Sequence, residues 1–294
     1  MGTAENRNDD VRTRAVPGAQ IRRFDAILEA IANDPRGPSG AEDTAYPAWA
    51  RHSIAAGGTK LRVLHYMLAH ARSSHPRFLD VGAQVGAMVA YAAELGFQSH
   101  ALDLPHYARR FSVIAADYGV DYRSCDLSNE PLPFPDDSFD FVSYMDVVEH
   151  HAFSSKRVFL EIHRVLAPGG RVIITTPNHA SLYNRLSLLA GRSVNDSFDY
   201  YFTTCAEHPI YPGHHREFTR SELRRALEAT SFDVIECRVI DEDPASQAYC
   251  MRVVAPARGS YLNLALACIG KLWAAARLPF GRLLWAVGEK PAKR

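Results

Sequence analysis

Apolar residues recur at two different spacings along the chain, and the alternation of the two predicts a mixed α/β fold. Helical spacing predicts helices at residues 21–33, about 60–72, 85–95, 156–166 and 220–229. Short apolar runs predict strands at residues 78–79, 99–104, 120–123, 139–144, 171–175 and 232–240. Because the two kinds of segment alternate from residue 77 onward, we expect a mostly parallel sheet with helices on both faces. Ligands of such sheets bind beyond the carboxyl ends of the strands.

The segments on either side of this alternation have their own patterns. Residues 1–20 are polar and predict a disordered tail, and residues 21–74 predict an N-terminal helical lid before the sheet. Residues 260–278 predict an apolar helix. The last strand is predicted at residues 282–288, with residues 248–254 as the alternative, and the final GEKPAKR is expected to be a tail.

The composition disfavours several classes of protein. Lys and Arg number 33 and Asp and Glu also number 33, so no general positive field is present to attract nucleic acid. The five cysteines show no CxxC spacing, which disfavours a disulfide framework or a zinc site and is typical of a reducing compartment. The first residues have no signal-peptide core, and no apolar run reaches the roughly 20 residues that cross a bilayer. We therefore predict a cytoplasmic globular protein.

Three predicted strands end in acidic residues that could serve a ligand. Asp80 closes the first strand, and Gly82 and Gly86 then allow the backbone to turn sharply and approach a bound molecule. A tight strand-to-helix turn without a ligand explains these glycines equally well. The second strand ends at Asp103, where a carboxylate could accept both hydroxyl groups of a ribose, and the third ends beside Asp126.

The order of seven segments resembles the class I S-adenosylmethionine-dependent methyltransferases over about residues 75–240. The segments are DVGAQVG, ALDL, CDL, LPFPDDSFDFV, DVVEHH, HRVLAPGGRVIITTPN and HREFTRSELRRALEATSFDVIE. Within that superfamily they are most similar to small-molecule O-methyltransferases of the quinone, sugar and natural-product kind. The resemblance implies a Rossmann-like, doubly wound α/β fold whose sheet has seven strands and an antiparallel last strand, in a methyltransferase domain over residues 75–290.

The resemblance also implies which residues hold S-adenosylmethionine. They are Asp80, Gly82, Ala83, Gly86, Asp103, Leu104, Asp126, Leu127 and Asp146. The glycine turn would hold the methionine part, Asp103 the ribose and Asp126 the adenine amino group, while Asp146 would lie near the transferred methyl. Gln84 replaces the middle glycine of the family pattern, so a side chain is expected where the backbone needs a positive φ. A decayed cofactor site is the alternative.

Methyl transfer to a hydroxyl group requires a base, because the sulfonium supplies the reactivity but does not remove the acceptor's proton. Asp146, Glu149 and His150 form a DxxEH pattern whose helical spacing would place them on one face. Together with His214, this pattern resembles that of quinone and small-RNA 2′-O-methyltransferases, which hold a divalent metal. We favour His150 or His151 as the base, assisted by Asp146 and His214. If only His150 acts as the base, His151 is expected to be a solvated neighbour. The alternative is a Mg or Zn ion held by Asp146, Glu149, His150 and His214.

An insertion after the fifth strand is predicted to hold the acceptor. Asn178 and His179 follow that strand and could touch the acceptor. Residues 180–216 are rich in aromatic side chains and are predicted to cap the site, with Tyr183 and Tyr211 lining it. Ordinary packing of a long insertion explains the same side chains equally well.

The favoured hypothesis is a methyltransferase that acts on an oxygen of a small-molecule acceptor, and no nucleic-acid partner is expected. One alternative is a metal-dependent RNA 2′-O-methyltransferase, and another is a non-catalytic scaffold that keeps only the fold. The sequence leaves methylation of nitrogen or carbon open. Residues 260–287 carry tryptophan, leucine and basic residues, which permits contact with a membrane surface or a homodimer interface.

Overall fold

The computed structural model describes residues 18–34, 36, 57–204, 213–240 and 281–292. The helices are α1 (Gly18–Ala32), α2 (Gly57–His70), α3 (Ala87–Glu94), α4 (Pro105–Ala116), α5 (Lys156–Val165), α6 (Leu182–Leu189) and α7 (Arg220–Glu228). The strands are β1 (Arg77–Val81), β2 (Gln98–Asp103), β3 (Asp121–Ser124), β4 (Phe139–Met145), β5 (Leu166–Pro177), β6 (Asp233–Ile240) and β7 (Leu283–Glu289).

The strands form one seven-stranded sheet in the order β3-β2-β1-β4-β5-β7-β6. Strand β2 pairs in parallel with both β1 and β3, whereas β7 runs antiparallel to both β5 and β6. This arrangement confirms the predicted fold class, a Rossmann-like sheet with an antiparallel last strand. The order also confirms residues 282–288 as the last strand, displaced by one residue.

The chain divides into two compact units, Met1–Asp126 with Phe139–Ser143 and Leu127–Ser138 with Tyr144–Arg294. In the first unit, α1 packs against α3, and the rings of Phe24 and Tyr91 lie 6.2 Å apart. Of the apolar positions that predict α1, Phe24, Ile27, Leu28 and Ile31 are buried, whereas Ile21 in the first turn is 39% exposed. Helix α1 already begins at Gly18, inside the segment predicted as a tail, because its first turn is continuous with the amphipathic stretch. The lid role of residues 21–74 stays a prediction.

In the second unit, β7 lies between β5 and β6 and carries six buried residues in succession. Its pairing continues past the strand, since Lys290 accepts a hydrogen bond from the backbone of Gly169 and donates one to the carbonyl of Gly170. The expectation that the chain becomes a free tail at Gly288 is therefore wrong. Lys290 is a buried part of the fold, and its side chain is only 12% exposed.

The segment after β4 also differs from the sequence expectation. Asp146, Glu149 and His150 do not share a face of an α-helix, because only Val148–His150 form a single 3₁₀ turn. Asp146 precedes that turn with a φ of 52°, a left-handed conformation that directs its carboxylate away from the helical pattern. A short turn has replaced the predicted helix start.

Several sequence predictions lie outside the described residues. They are the disordered tail up to residue 17, the apolar helix at 260–278 with its membrane or dimer contact, the alternative strand at 248–254, and Tyr211. Among the helices that the structure describes, none combines the length and the apolar character that crossing a bilayer requires.

Candidate active site

In the turn after β1, every second residue of a five-residue stretch has a left-handed backbone conformation. Gly82, Gln84 and Gly86 have φ values of 81°, 51° and 76°. The amides of Gly82 and Ala83 both donate to the carbonyl of Leu102, at 2.8 and 3.1 Å, which ties the turn to β2. The expected positive φ at Gln84 is confirmed. The strain of a side chain in this region is offset by contacts on both sides of the residue.

Asp103 at the end of β2 supplies one of those contacts. Its Oδ2 accepts a hydrogen bond from the Gln84 amide and its Oδ1 one from the Leu104 amide, each at 2.7 Å. On the other side, the Tyr122 hydroxyl donates to the carbonyl of Gln84. Burial raises the pKa of Asp103 to about 6, although the two amide hydrogen bonds oppose this change and the charge of Asp80 adds to it. The Asp103 carboxylate therefore fixes the turn, and its pKa of about 6 lies close to neutral pH.

The other cofactor candidates of the first unit differ in exposure. Asp80 is buried and accepts a hydrogen bond from the Ser143 hydroxyl of β4. Burial raises its pKa, and the charge of Lys60 on α2 partly opposes this. Asp126 is half-buried. Leu104 is 42% exposed, so its apolar side chain is open to contact with a bound ring. Contact of each with a cofactor stays a prediction.

In the second unit, a buried carboxylate follows β4. Glu149 is 1% exposed, and its Oε2 accepts a hydrogen bond from the Thr176 hydroxyl at 2.9 Å. Its Oε1 has no hydrogen-bond partner among the described residues. Burial and the charge of Asp146 raise the pKa of Glu149 to about 8. Such a buried oxygen is costly unless a proton, a cation or a ligand satisfies it.

Two histidines meet beside Glu149. The rings of His150 and His214 lie 4.8 Å apart at an angle of 76°, and one ligand atom from each of Glu149, His150 and His214 lies within 4.8 Å of the others. His150 Nδ1 contacts the Gly213 carbonyl at 3.2 Å, so the neutral ring carries its proton on Nδ1 and has its lone pair on Nε2. This set of one carboxylate and two imidazoles fits a divalent cation, and the buried Oε1 of Glu149 is the atom that such an ion would satisfy.

His214 is held by a carboxylate that the sequence interpretation did not include. Its Nδ1 lies 3.0 Å from Glu217 Oε1, and its amide donates to Asp196 Oδ2 at 3.1 Å. Burial lowers the pKa of His214, but the hydrogen bond to Glu217 and the charges of Glu149 and Asp196 outweigh that effect and raise it. We call Glu149, His150, His214 and Glu217 the histidine cluster.

Asp146 lies outside the histidine cluster. Its amide donates to the Thr175 carbonyl at 2.9 Å, and its Oδ1 accepts from the Thr175 hydroxyl at 3.1 Å. The metal-ligand group found among the described residues does not contain it. Asp146, which the sequence predicted as one of four metal ligands, is therefore not in this group, because its positive φ directs its side chain to β5.

His151 is not the solvated neighbour that the sequence suggested. It is 9% exposed, stacks on Phe153 with ring centroids 4.3 Å apart, and lies 3.1–3.2 Å from the Tyr144 hydroxyl through its two ring nitrogens. Burial, with a smaller contribution from His150, lowers its pKa to about 4. A neutral, packed imidazole of this kind contributes to stability, and its predicted role as a base gains no support from these contacts.

The residues after β5 that were predicted to touch the acceptor differ in their exposure to solvent. Asn178 is 3% exposed, and its amide group donates to the Gly281 carbonyl at 2.8 Å and accepts from the Ala180 amide at 3.1 Å. Both ends of this side chain therefore bind the backbone, and its predicted contact with the acceptor stays a prediction. His179 is 45% exposed, with Nδ1 3.6 Å from Glu217 Oε2. The guanidinium of Arg282 lies 5.3 Å from the ring centre of Tyr183.

A cleft of about 340 Å³ opens beside the histidine cluster. Its lining residues are His179, Asn195, His214, His215, Arg216, Glu217, Thr219 and Glu222. Sequence reasoning missed Glu217 and Thr176. A signal for Glu217 was present, because it stands three residues after His214 in the same loop, whereas nothing local distinguished Thr176 from a strand threonine.

A family model described as a methyltransferase domain matches residues 49–237, which is most of the chain and includes both the glycine turn and the histidine cluster. The chain belongs to the methyltransferase-domain family. This confirms the resemblance to class I S-adenosylmethionine-dependent methyltransferases.

Curated relatives and solved structures of this methyltransferase family add detail. A probable S-adenosylmethionine-dependent methyltransferase of Mycolicibacterium smegmatis is 30% identical over 172 residues, 58% of this chain and 57% of its own length. A probable tocopherol O-methyltransferase of Oryza sativa is 38% identical over 109 residues, 35% of this chain and 30% of its own length. The matched region thus spans less than two thirds of these relatives.

A solved S-adenosylmethionine-dependent methyltransferase of Mesorhizobium loti shares the fold, with a TM-score of 0.53 and 18% identity over 80% of this chain and 99% of that one. At this identity the likeness supports the fold alone.

Of the predicted cap, the structure describes residues 180–204 and 213–216. After α6, residues Tyr200–Thr204 form a π-helical turn. Phe198 is 69% exposed and Phe202 is 64% exposed, and their rings stack 5.0 Å apart. These two rings are therefore not part of a buried cluster. An acceptor-capping role for residues 180–216 stays a prediction.

Proposed function

We propose that the chain is an S-adenosylmethionine-dependent methyltransferase that transfers the methyl group to an oxygen of a small-molecule acceptor. The observation that carries the choice of oxygen is the histidine cluster, with His214 on the wall of the cleft. A hydroxyl group must lose its proton during methylation, and a pair of imidazoles beside a buried carboxylate can accept that proton.

Cofactor binding is assigned to the glycine turn and the end of β2. The backbone of Gly82–Gly86 provides the close approach that the methionine part needs, and Asp103 presents a carboxylate beside an exposed Leu104. Ribose hydroxyls would donate hydrogen bonds to Asp103. These would replace, or add to, the hydrogen bonds that the Gln84 and Leu104 amides already donate to it. Asp126 is the proposed partner of the adenine amino group.

The reaction then balances in a single displacement. When bound, S-adenosylmethionine would supply an activated methyl group, and the O–CH₃ bond to the acceptor would form as the S–CH₃ bond breaks to give a neutral thioether. The acceptor proton passes to Nε2 of His150 or His214, whose Nδ1 atoms are directed to the Gly213 carbonyl and to Glu217. Exclusion of water from the cleft would protect this transfer.

A divalent cation is the second part of the proposal. Glu149, His150 and His214 would hold it, and their nitrogen-rich donor set suits zinc or a similar transition metal better than magnesium. Such an ion would lower the pKa of an acceptor hydroxyl by acting as a Lewis acid. The side chains would then bind and orient the ion through the Nε2 atoms of the two imidazoles, so the acceptor proton would pass to solvent rather than to His150 or His214.

The function is tested by binding and by product analysis. Calorimetry of S-adenosylmethionine with the full chain should give saturable binding, and mass spectrometry with NMR should place the labelled methyl on oxygen in a panel of catechols, hydroquinones and sugars. No binding at millimolar cofactor would refute the methyltransferase proposal. Transfer only to nitrogen or carbon acceptors would keep the enzyme class and refute the choice of oxygen.

Removal of metal by a chelator separates the two mechanisms. If the ion takes part, activity on the best acceptor should fall at least tenfold after dialysis and return when Zn²⁺ or Mg²⁺ is added. Full activity in the chelated protein would leave direct proton removal by His150 or His214 as the mechanism.

A further inference from the structure

Glu217 contacts two histidines that come from different parts of the second unit. Its Oε1 lies 3.0 Å from His214 Nδ1, and its Oε2 lies 3.6 Å from His179 Nδ1 at the end of β5. The Glu217 side chain is 17% exposed and lies on the wall of the cleft. Its Oε2 has no hydrogen bond within the part of the chain that the structure describes. A buried carboxylate oxygen that lacks a hydrogen bond, on the wall of a cleft, calls for a functional explanation.

The histidine cluster shows a regular pattern in its outer contacts. Each of the three ligand-type side chains makes one hydrogen bond through an atom other than its candidate ligand atom. The Thr176 hydroxyl donates to Glu149 Oε2. His150 Nδ1 contacts the Gly213 carbonyl, and His214 Nδ1 contacts Glu217. Histidine ligands of metals usually donate their other ring N–H to a carboxylate or a carbonyl, which fixes the tautomer and raises the basicity of the ligating nitrogen. Glu217 provides the only charged contact of the three.

We propose that Glu217 is the positioning residue of the metal site. It holds the proton of His214 on Nδ1, presents Nε2 to a divalent cation, and steadies the ring with its negative charge. This inference rests on the metal part of the proposed function. His179 lies against the other carboxylate oxygen, so Glu217 also links the acceptor-side histidine to the metal side of the cleft.

The loop that carries Glu217 is anchored without the Glu217 side chain. The amides of His215 and Arg216 donate to the Glu149 carbonyl at 2.8 and 3.1 Å, and the His214 amide donates to Asp196. Removing the charge of Glu217 should therefore leave the loop in place. A change in metal binding after Glu217→Gln would report on the orientation and basicity of His214 rather than on unfolding.

The test is metal binding to the full chain after removal of bound ions. Calorimetry with Zn²⁺ should give one site in the parent protein, and Glu217→Gln should weaken it by about 10–100-fold. Glu228→Gln changes the same charge on the exposed face of α7 and should leave the affinity unchanged. Glu149→Gln removes a proposed ligand and should abolish the site. Absorbance of bound Co²⁺ provides a spectroscopic record of histidine ligation in each variant.

The outcomes separate this inference from the proposed function. Equal Zn²⁺ affinity in the parent and Glu217→Gln would refute the role of Glu217 while leaving the metal site intact. Absence of Zn²⁺ binding in the parent would refute the metal site and the inference together, whereas S-adenosylmethionine binding, measured on the same samples, judges the methyltransferase proposal independently. If Glu217→Gln does not fold, Glu217→Asp, with its shorter arm, should still lose about tenfold in affinity, and an unchanged affinity there would overturn the inference.

Discussion

At the scale of single residues, one carboxylate sets the geometry of the first candidate site. Asp103 accepts the amides of Gln84 and Leu104, and this contact holds a non-glycine residue in a left-handed conformation. The carboxylate is buried, so the ionised form is costly to the folded protein and its pKa rises to about 6. The contribution of Asp103 to stability is therefore present below its unfolded pKa and is lost as the pH rises through about 6.

This titration predicts the pH dependence of cofactor binding. S-adenosylmethionine affinity should fall below pH 6, approaching about tenfold per pH unit, because protonated Asp103 accepts ribose hydroxyls poorly. Calorimetry from pH 5 to 8 provides the measurement. Asp103→Asn should bind more weakly throughout and lose this pH dependence, whereas Asp117→Asn, an exposed acid on the same unit, should behave like the parent. An unchanged slope in Asp103→Asn would contradict the role of Asp103.

At the scale of elements, the antiparallel strand β7 packs against α7 through a glycine. A Cβ added at Gly288 would lie 2.9 Å from Leu227 Cδ2 and 3.1 Å from Phe232. Leu227 is fully buried, so it has no room to move away. Close packing here, rather than backbone conformation, requires glycine.

Gly288→Ala should lower the free energy of unfolding by about 1–3 kcal/mol, as overpacking in a filled core does. Urea denaturation measures the change. Gly18→Ala adds the same methyl group in α1, where the nearest atom is the flexible end of Arg22 at 3.3 Å, and should cost nothing or stabilise slightly. A neutral Gly288→Ala would show that α7 can move relative to β7.

At the scale of the whole molecule, Lys290 joins distant parts of the second unit. Its Nζ donates to Asp137 Oδ1 at 2.6 Å and to the carbonyls of Arg164 and Leu166 at 3.2 and 2.7 Å. Asp137 itself has a φ of 57°. Contacts separated by more than a hundred residues in sequence thus converge on one ammonium group.

Lys290→Met should reduce the free energy of unfolding by about 1–3 kcal/mol, because it removes one charged donor from the Asp137 carboxylate and from the carbonyls of Arg164 and Leu166. The loss should change little with added salt, since the ammonium is largely buried. Chemical denaturation at low and high salt provides the measurement. Lys156→Met, an exposed substitution at the start of α5, is the control and should change stability by less than about 0.5 kcal/mol.

The sequence by itself determined the elements and their order. Helix α1, the glycine turn and the antiparallel last strand follow from local periodicity, turn chemistry and family motifs, and the structure confirms them because these signals act over a few residues. The positive φ at Gln84 was predictable from the family pattern, which has glycine at this position, and contacts from Asp103 and Tyr122 support it.

The resemblance already named Glu149, His150 and His214, but only the tertiary structure showed that Glu217 joins the histidine cluster and that Asp146 does not. Glu149 meets Thr176, and His150 meets the Gly213 carbonyl, across 27 and 63 residues of sequence. Asp146 is not in this cluster because its own left-handed backbone conformation directs its side chain to β5. His151 is buried because Tyr144 and Phe153 pack against it. Periodicity records the face of an element that is apolar, whereas the partners of a polar side chain depend on how distant segments pack, which a single sequence does not display.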